Sequence, residues 1–150
     1  MIVLVTGLLR YDAGKTTLVL ELLDALKSIG FKPWPFKPIG AHNAWYQYET
    51  LLHSIDLAKL VGEDAYKLAS AAGLLDEIEI ISPVDILILP PDVKYFISNP
   101  RRYLDILMDL EKQAILARTT YLIEDKPYSI HYLVEDNYKT TLDVLKHDIQ

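Results

Sequence analysis

The chain has 150 residues, 51% hydrophobic and 24% charged, with a formal net charge of −6 and no cysteine. That is enough apolar chain for one buried core in a single domain, and it excludes broad disorder, a disulfide framework and thiolate metal sites. The acidic balance argues against nucleic acid as a partner, and the lack of a long apolar run or a basic leader argues against a membrane and for a cytoplasmic location.

Residues 2–6 predict a strand, and residues 15–29 an amphipathic helix with Leu18, Leu22, Leu26 and Ile29 at helical spacing, closed by Gly30. Between them runs Gly7-Leu8-Leu9-Arg10-Tyr11-Asp12-Ala13-Gly14-Lys15-Thr16-Thr17. Strand, glycine turn and helix start are the setting of a phosphate-binding loop. There the backbone N–H groups of Asp12, Ala13, Gly14, Lys15, Thr16 and Thr17 converge on phosphate oxygens at the positive end of the helix. Lys15 is placed to reach the β/γ-phosphates, and the Thr16 hydroxyl to ligate Mg²⁺. Six residues separate Gly7 from Gly14, more than the standard spacing, so Leu9 stands at the first glycine position and the loop should be wide. Arg10 precedes Lys15 by five residues; it either touches phosphate, across a homodimer if need be, or is a solvated loop residue.

Residues 31–37 read as a second strand, an edge or irregular one because Pro33 and Pro35 remove ladder donors. A loop rich in His, Asn, Trp and Tyr follows over residues 40–48, then helices over 49–61 and 63–72. Residues 84–89, an apolar run stopped by Pro90-Pro91, predict a buried parallel strand. Asn99-Pro100 is a capping residue with proline at the first helical position, opening a helix to residue 117. Residues 119–124 and 129–134 read as strands around a Lys126-Pro127 turn, and residues 137–148 as a last helix. The alternation predicts an α/β three-layer fold with a mostly parallel central sheet and its ligand crevice at the strand C-terminal ends.

The loop resembles that of the MinD and ParA partition ATPases, whose extra signature lysine falls at the position of Arg10. Phe36-Lys37-Pro38-Ile39, with Ser54-Ile55-Asp56-Leu57-Ala58 downstream and Ser82-Pro83 before the third main strand, is similar to dethiobiotin synthetase and its relatives. The chain resembles still more closely a group of archaeal P-loop ATPase/GTPases of unassigned role. They share its loop and the segment Phe36-Lys37-Pro38 with His42-Asn43-Ala44-Trp45-Tyr46-Gln47-Tyr48. The resemblance covers about residues 1–92 of the 150. It implies a P-loop NTPase fold in which Lys37 contacts substrate and phosphate, and Asp56 supplies a Mg²⁺ ligand beside Thr16. A second acidic site should close an apolar strand; Asp92 is favoured, with Glu124 and Glu135 as alternatives. Where dethiobiotin synthetase has its glutamate, this chain has Pro90, and the chain is short for that family. No Asn-Lys-x-Asp motif supports guanine, so ATP is expected in preference to GTP.

Two functions follow from these residues. One is an enzyme in which ATP and Mg²⁺ activate a small polar substrate, with Lys15, Lys37 and Arg10 as catalytic cations and Thr16, Asp56 and Asp92 around the metal. The other is a nucleotide-dependent association switch of partition-ATPase type with little catalysis. In the first, Leu52, Ile55 and Leu60 should face the sheet and leave Asp56 near Thr16; the alternative puts Asp56 in solvent.

Overall fold

In a computed structural model, which describes residues 1–8 and 13–149, two left-handed glycines set the bounds of the first helix. Helix α1 (Lys15–Ser28) starts behind Gly14, at φ 68°. It ends at Gly30, φ 87°, where the Phe31 N–H bonds the Leu26 carbonyl and the Gly30 N–H bonds that of Lys27, both at 3.0 Å. Such a Schellman stop satisfies carbonyls the helix cannot. Beyond it come β1 (Ile39–Asn43), α2 (Glu49–Leu57), α3 (Glu63–Ala72), α4 (Ile78–Ile81) and β2 (Val84–Ile88). The chain continues through α5 (Pro100–Leu107), β3 (Ala114–Ile123), β4 (Lys126–Leu133), α6 (Glu135–Thr140) and α7 (Asp143–Ile149).

The sheet corrects the expected fold class. Its order is β1-β2-β3-β4, with β1 and β2 parallel and the other two pairings antiparallel, so it is a mixed sheet and not the mostly parallel one of a three-layer P-loop NTPase fold. Three local causes account for the difference. First, β1 pairs directly with β2, Ile39 opposite Val84 through Asn43 opposite Ile88, which leaves no slot between them for residues 2–6. That segment forms no strand, and Ile2 and Leu4 are 97% and 84% exposed. Second, Pro33, Pro35 and Pro38 keep residues 31–38 out of the ladder, so the strand starts at Ile39 and runs into what reads as a loop from residue 40. Third, the helix expected to reach residue 117 stops at Leu107. The Gln113 amide donates to the Ile106 and Leu107 carbonyls, both at 3.1 Å, while the Gln113 carbonyl accepts from the Leu89 N–H at 3.0 Å. Chain reversal there delivers β3 antiparallel to β2, without the long crossover that a parallel return requires.

Burial alternates along β1 and β2: Gly40, His42, Asp85 and Leu87 are buried, while Ile39, Ala41, Val84 and Ile86 are exposed or half-exposed. Helices therefore cover one face. Leu51, Leu60, Leu87, Leu89, Ile115 and Leu145 form the core there, with a second cluster of Val61, Ala65, Ala69, Ile78 and Ile81. Helix α1 packs on α3.

Charge is buried inside this layer. Arg118 and Asp85, cross-strand partners in β3 and β2, are both 0% exposed. The Arg118 guanidinium donates to the Leu60 and Ser82 carbonyls, both at 2.8 Å, and to the Thr120 hydroxyl at 2.6 Å. Burial pushes it below its ordinary value, opposed by the charges of Asp85 and Glu79. Asp85 accepts from the Gly62 N–H at 2.9 Å and bonds His42 Nδ1 at 2.9 Å. A Cβ on Gly40 would lie 2.6 Å from Asp85 Oδ2, so only glycine fits beneath that carboxylate. The network continues from Thr120 to Ser129 at 2.8 Å, from Ser129 to Glu79, and from Glu79 to Lys59 at 2.5 Å.

Removing one partner of a buried pair strands the other charge. Arg118→Met should cost about 3–5 kcal/mol in urea denaturation. Asp85→Asn added to it should restore part of that loss; a double variant no more stable than the single one would show that the two charges do not compensate each other.

Candidate functional site

Lys15, at the first turn of α1, folds back over the glycine turn. A Cβ on Gly7 would lie 3.2 Å from both Cγ and Cδ of Lys15 and 3.0 Å from the Ala13 Cβ, so the lysine stem passes directly above a position where a side chain would collide. Gly14 gives α1 no side-chain cap, and the first intrahelical bond, Leu18 N–H to the Gly14 carbonyl, is 3.0 Å. The first N–H groups of a helix have no partner within it, and they are the groups that hold an anion at a helix start.

One residue further on, the Thr16 hydroxyl donates to Asp64 Oδ1 at 2.8 Å, and Lys37 Nζ holds the other oxygen, Oδ2, at 2.6 Å. Three segments meet here: α1, the segment before β1, and the first turn of α3. Lys37 is anchored through its own N–H, which donates to the Ile81 carbonyl at 2.8 Å. Burial pushes the Asp64 carboxyl up, but the hydrogen bond and charge of Lys37 and the Thr16 hydroxyl outweigh it and hold the group below its ordinary value of 3.8. The pair is only half-buried, with side chains 28% and 45% exposed for Lys37 and Asp64.

Lys15, Thr16, Lys37 and Asp64 line one cavity of about 1200 Å³, together with residues 1–5, the inner face of α1 and residues 31–39. Its lining reaches Ile39 at the start of β1 and not the C-terminal ends of β1 and β2, where the expected fold puts its crevice.

Of the residues the sequence singles out, Lys15, Thr16 and Lys37 come together, with Ala13 and Gly14 at the helix start and Thr17 exposed. Arg10 and Asp12 lie outside the described residues. Asp56 is exposed on α2, and Leu52 and Ile55 do not face the sheet, being 46% and 55% exposed; Leu51 does. Asp92 lies past the far end of β2, where it accepts from the Lys94 N–H at 3.0 Å and pairs with Lys94 Nζ at 3.3 Å. Glu124 sits in the β3–β4 turn, and Glu135 opens α6 and pairs with Lys139. In the 40–48 segment, His42 is buried on Asp85, and Gln47 ties Asn43 to Glu63. Tyr46 is 82% exposed.

Asp64 is the residue that sequence reasoning missed. Its signal is faint: an acid in the first turn of a helix reads as dipole compensation. Among the described residues, no group of three or more His, Asp or Glu side chains is placed to hold a metal ion, and no helix is long and apolar enough to cross a membrane.

Comparison of the chain with protein-family models, with curated proteins and with solved structures finds no match.

A depressed carboxylate stabilises the fold above its ordinary value, and that contribution is lost as pH falls through the folded value. Asp64→Asn should therefore be less stable than wild type by at most about 1 kcal/mol at pH 7, the pair being half-exposed and screened. The difference should close below pH 3.8, as followed by urea unfolding across pH; a gap that persists there would mean that Asp64 acts through packing and not charge.

Proposed function

We propose that this chain binds ATP with Mg²⁺ and transfers its terminal phosphoryl group to a small molecule. The observation that carries the reading is the Lys15 stem folded over Gly7 at the start of α1, behind the left-handed Gly14, with Lys37 in the same cavity. Two lysines in one cavity beside the positive end of a helix suit an ATP polyphosphate better than a single-charge ligand.

The oxygens of Thr16 and Asp64, 2.8 Å apart, fit Mg²⁺, which takes one or two protein oxygens and keeps several waters. Bound there, the ion would neutralise charge between the phosphates. Lys15 would hold the β/γ-phosphates, and Lys37, released from Asp64 as the carboxylate takes up the metal, would face the transferring phosphoryl group. Asp64 thus exchanges one cation for another, which keeps its charge compensated in both states.

Lys15→Ala should abolish ATP-Mg²⁺ binding in calorimetry while the variant still unfolds in one cooperative transition. Lys37→Ala should leave ATP affinity within a few-fold but lower turnover by about 10²–10³, a loss typical of a group acting on transition-state charge. Unchanged ATP affinity in Lys15→Ala would overturn the reading.

A further inference from the structure

The cavity has one polar end and a long apolar body. Past Lys15, Thr16, Lys37 and Asp64, its lining continues along the Val19, Leu22 and Leu26 face of α1 and includes Phe31, Trp34 and Phe36. Leu26 lies eleven residues beyond Lys15, so at 1.5 Å per residue the apolar arm is roughly 16 Å long. At about 1200 Å³ the space exceeds what one drug-sized ligand fills, roughly 300–1,000 Å³. Trp34, Phe31 and Phe36 are 50%, 57% and 62% exposed, three aromatic rings side by side in the lining of one cavity.

A nucleotide does not account for that arm. A base and ribose carry donors and acceptors along their length, and burying them against leucines and phenylalanines leaves those groups unpaired. The prolines at 33, 35 and 38 withdraw three backbone N–H groups from the same wall. Charge is as polarised as apolarity: the described lining holds Lys15, Lys32 and Lys37 against one carboxylate, Asp64, in a chain whose net charge is −6.

We propose that the cavity binds a single-chain phosphate amphiphile, with its head on the lysines of the polar end and its hydrocarbon tail laid along α1. This rests on the reading above for the phosphate head and goes beyond it in the tail, which makes the acceptor or product of the phosphoryl transfer a long-chain molecule and not a small polar one.

The probe is dodecyl phosphate, titrated below its micellar concentration. Trp45→Phe leaves Trp34 as the one indole, because the chain has two tryptophans. Its emission should shift to the blue and saturate. In an octyl, decyl, dodecyl series each added methylene should tighten binding about three- to fourfold, the worth of one buried CH₂. Dodecyltrimethylammonium, with the same tail and the opposite charge, should bind at least tenfold more weakly. Leu26→Asp, inside the arm, should weaken dodecyl phosphate at least tenfold, whereas Leu18→Asp, 59% exposed on the same helix and outside the cavity, should not. No saturable shift, no head-charge preference, or equal loss in the two aspartate variants would each overturn the proposal. ATP-Mg²⁺ calorimetry on the same preparation separates the two readings. ATP binding without dodecyl phosphate binding removes the amphiphile alone; the reverse removes the nucleotide and the transfer role, and leaves the amphiphile as a bound ligand.

Discussion

Two opposite charges held out of water, Asp85 and Arg118, organise the covered face of this sheet. Neither touches solvent, and no direct ion pair is needed to satisfy them: Arg118 spends its donors on two backbone carbonyls and a threonine, and Asp85 receives a glycine N–H and bonds a histidine. Desolvating an arginine and a carboxylate is expensive, and here hydrogen bonds to both charged groups offset it, although Nε2 of His42 is left buried without a partner. The need for those partners sets positions on three segments. The Leu60 and Ser82 carbonyls must turn inward, Gly62 must present its N–H, and no side chain can stand at residue 40.

The candidate site inherits its geometry from this arrangement. Gly62, pinned by Asp85, is the residue before α3, and Asp64 lies in the first turn of that helix. Ser82, whose carbonyl receives Arg118, follows Ile81, whose carbonyl anchors the Lys37 N–H. Both halves of the Lys37–Asp64 pair are thereby tied to backbone that the buried charges fix. A half-exposed pair of this kind contributes little stability of its own. Its separation of 2.6 Å is held by the core beneath it.

How far the sequence reveals this depends on whether a signal is local. Helix α1 is legible because periodicity, a glycine before it and a glycine after it agree, and α5 starts where Asn99 caps it, its side chain accepting from the Arg102 N–H at 3.2 Å. Strand β2 and the β3–β4 hairpin are legible from apolar runs. The hairpin turn falls at Glu124-Asp125, φ 50° and 61°, and not at Lys126-Pro127. Asn-Gly is the usual signal for two left-handed residues, and Glu-Asp carries none. Residues 2–6 read as a strand for composition alone, but pairing depends on what stands beside a segment, and β1 has already taken the edge of β2. Asp85 looks like one polar residue in an apolar run. Its partners at residues 42, 62 and 118 are distant in sequence, so nothing short of the fold identifies it as a buried anion.

The hairpin register has a consequence for how this chain behaves at high concentration. A two-residue turn makes Ile123 and Lys126 the closing hydrogen-bonded pair, so β4 points Lys126, Tyr128, Ile130 and Tyr132 at β3 and turns the backbone of Pro127, Ser129, His131 and Leu133 outward. An outer strand with its polar backbone groups unmet is a template on which another chain can zip and begin a fibril. Proline occupies the first of those outward positions and has no N–H to offer. A strand arriving from outside finds its ladder broken at the first rung, in the part of the hairpin that extends beyond the cover of β2.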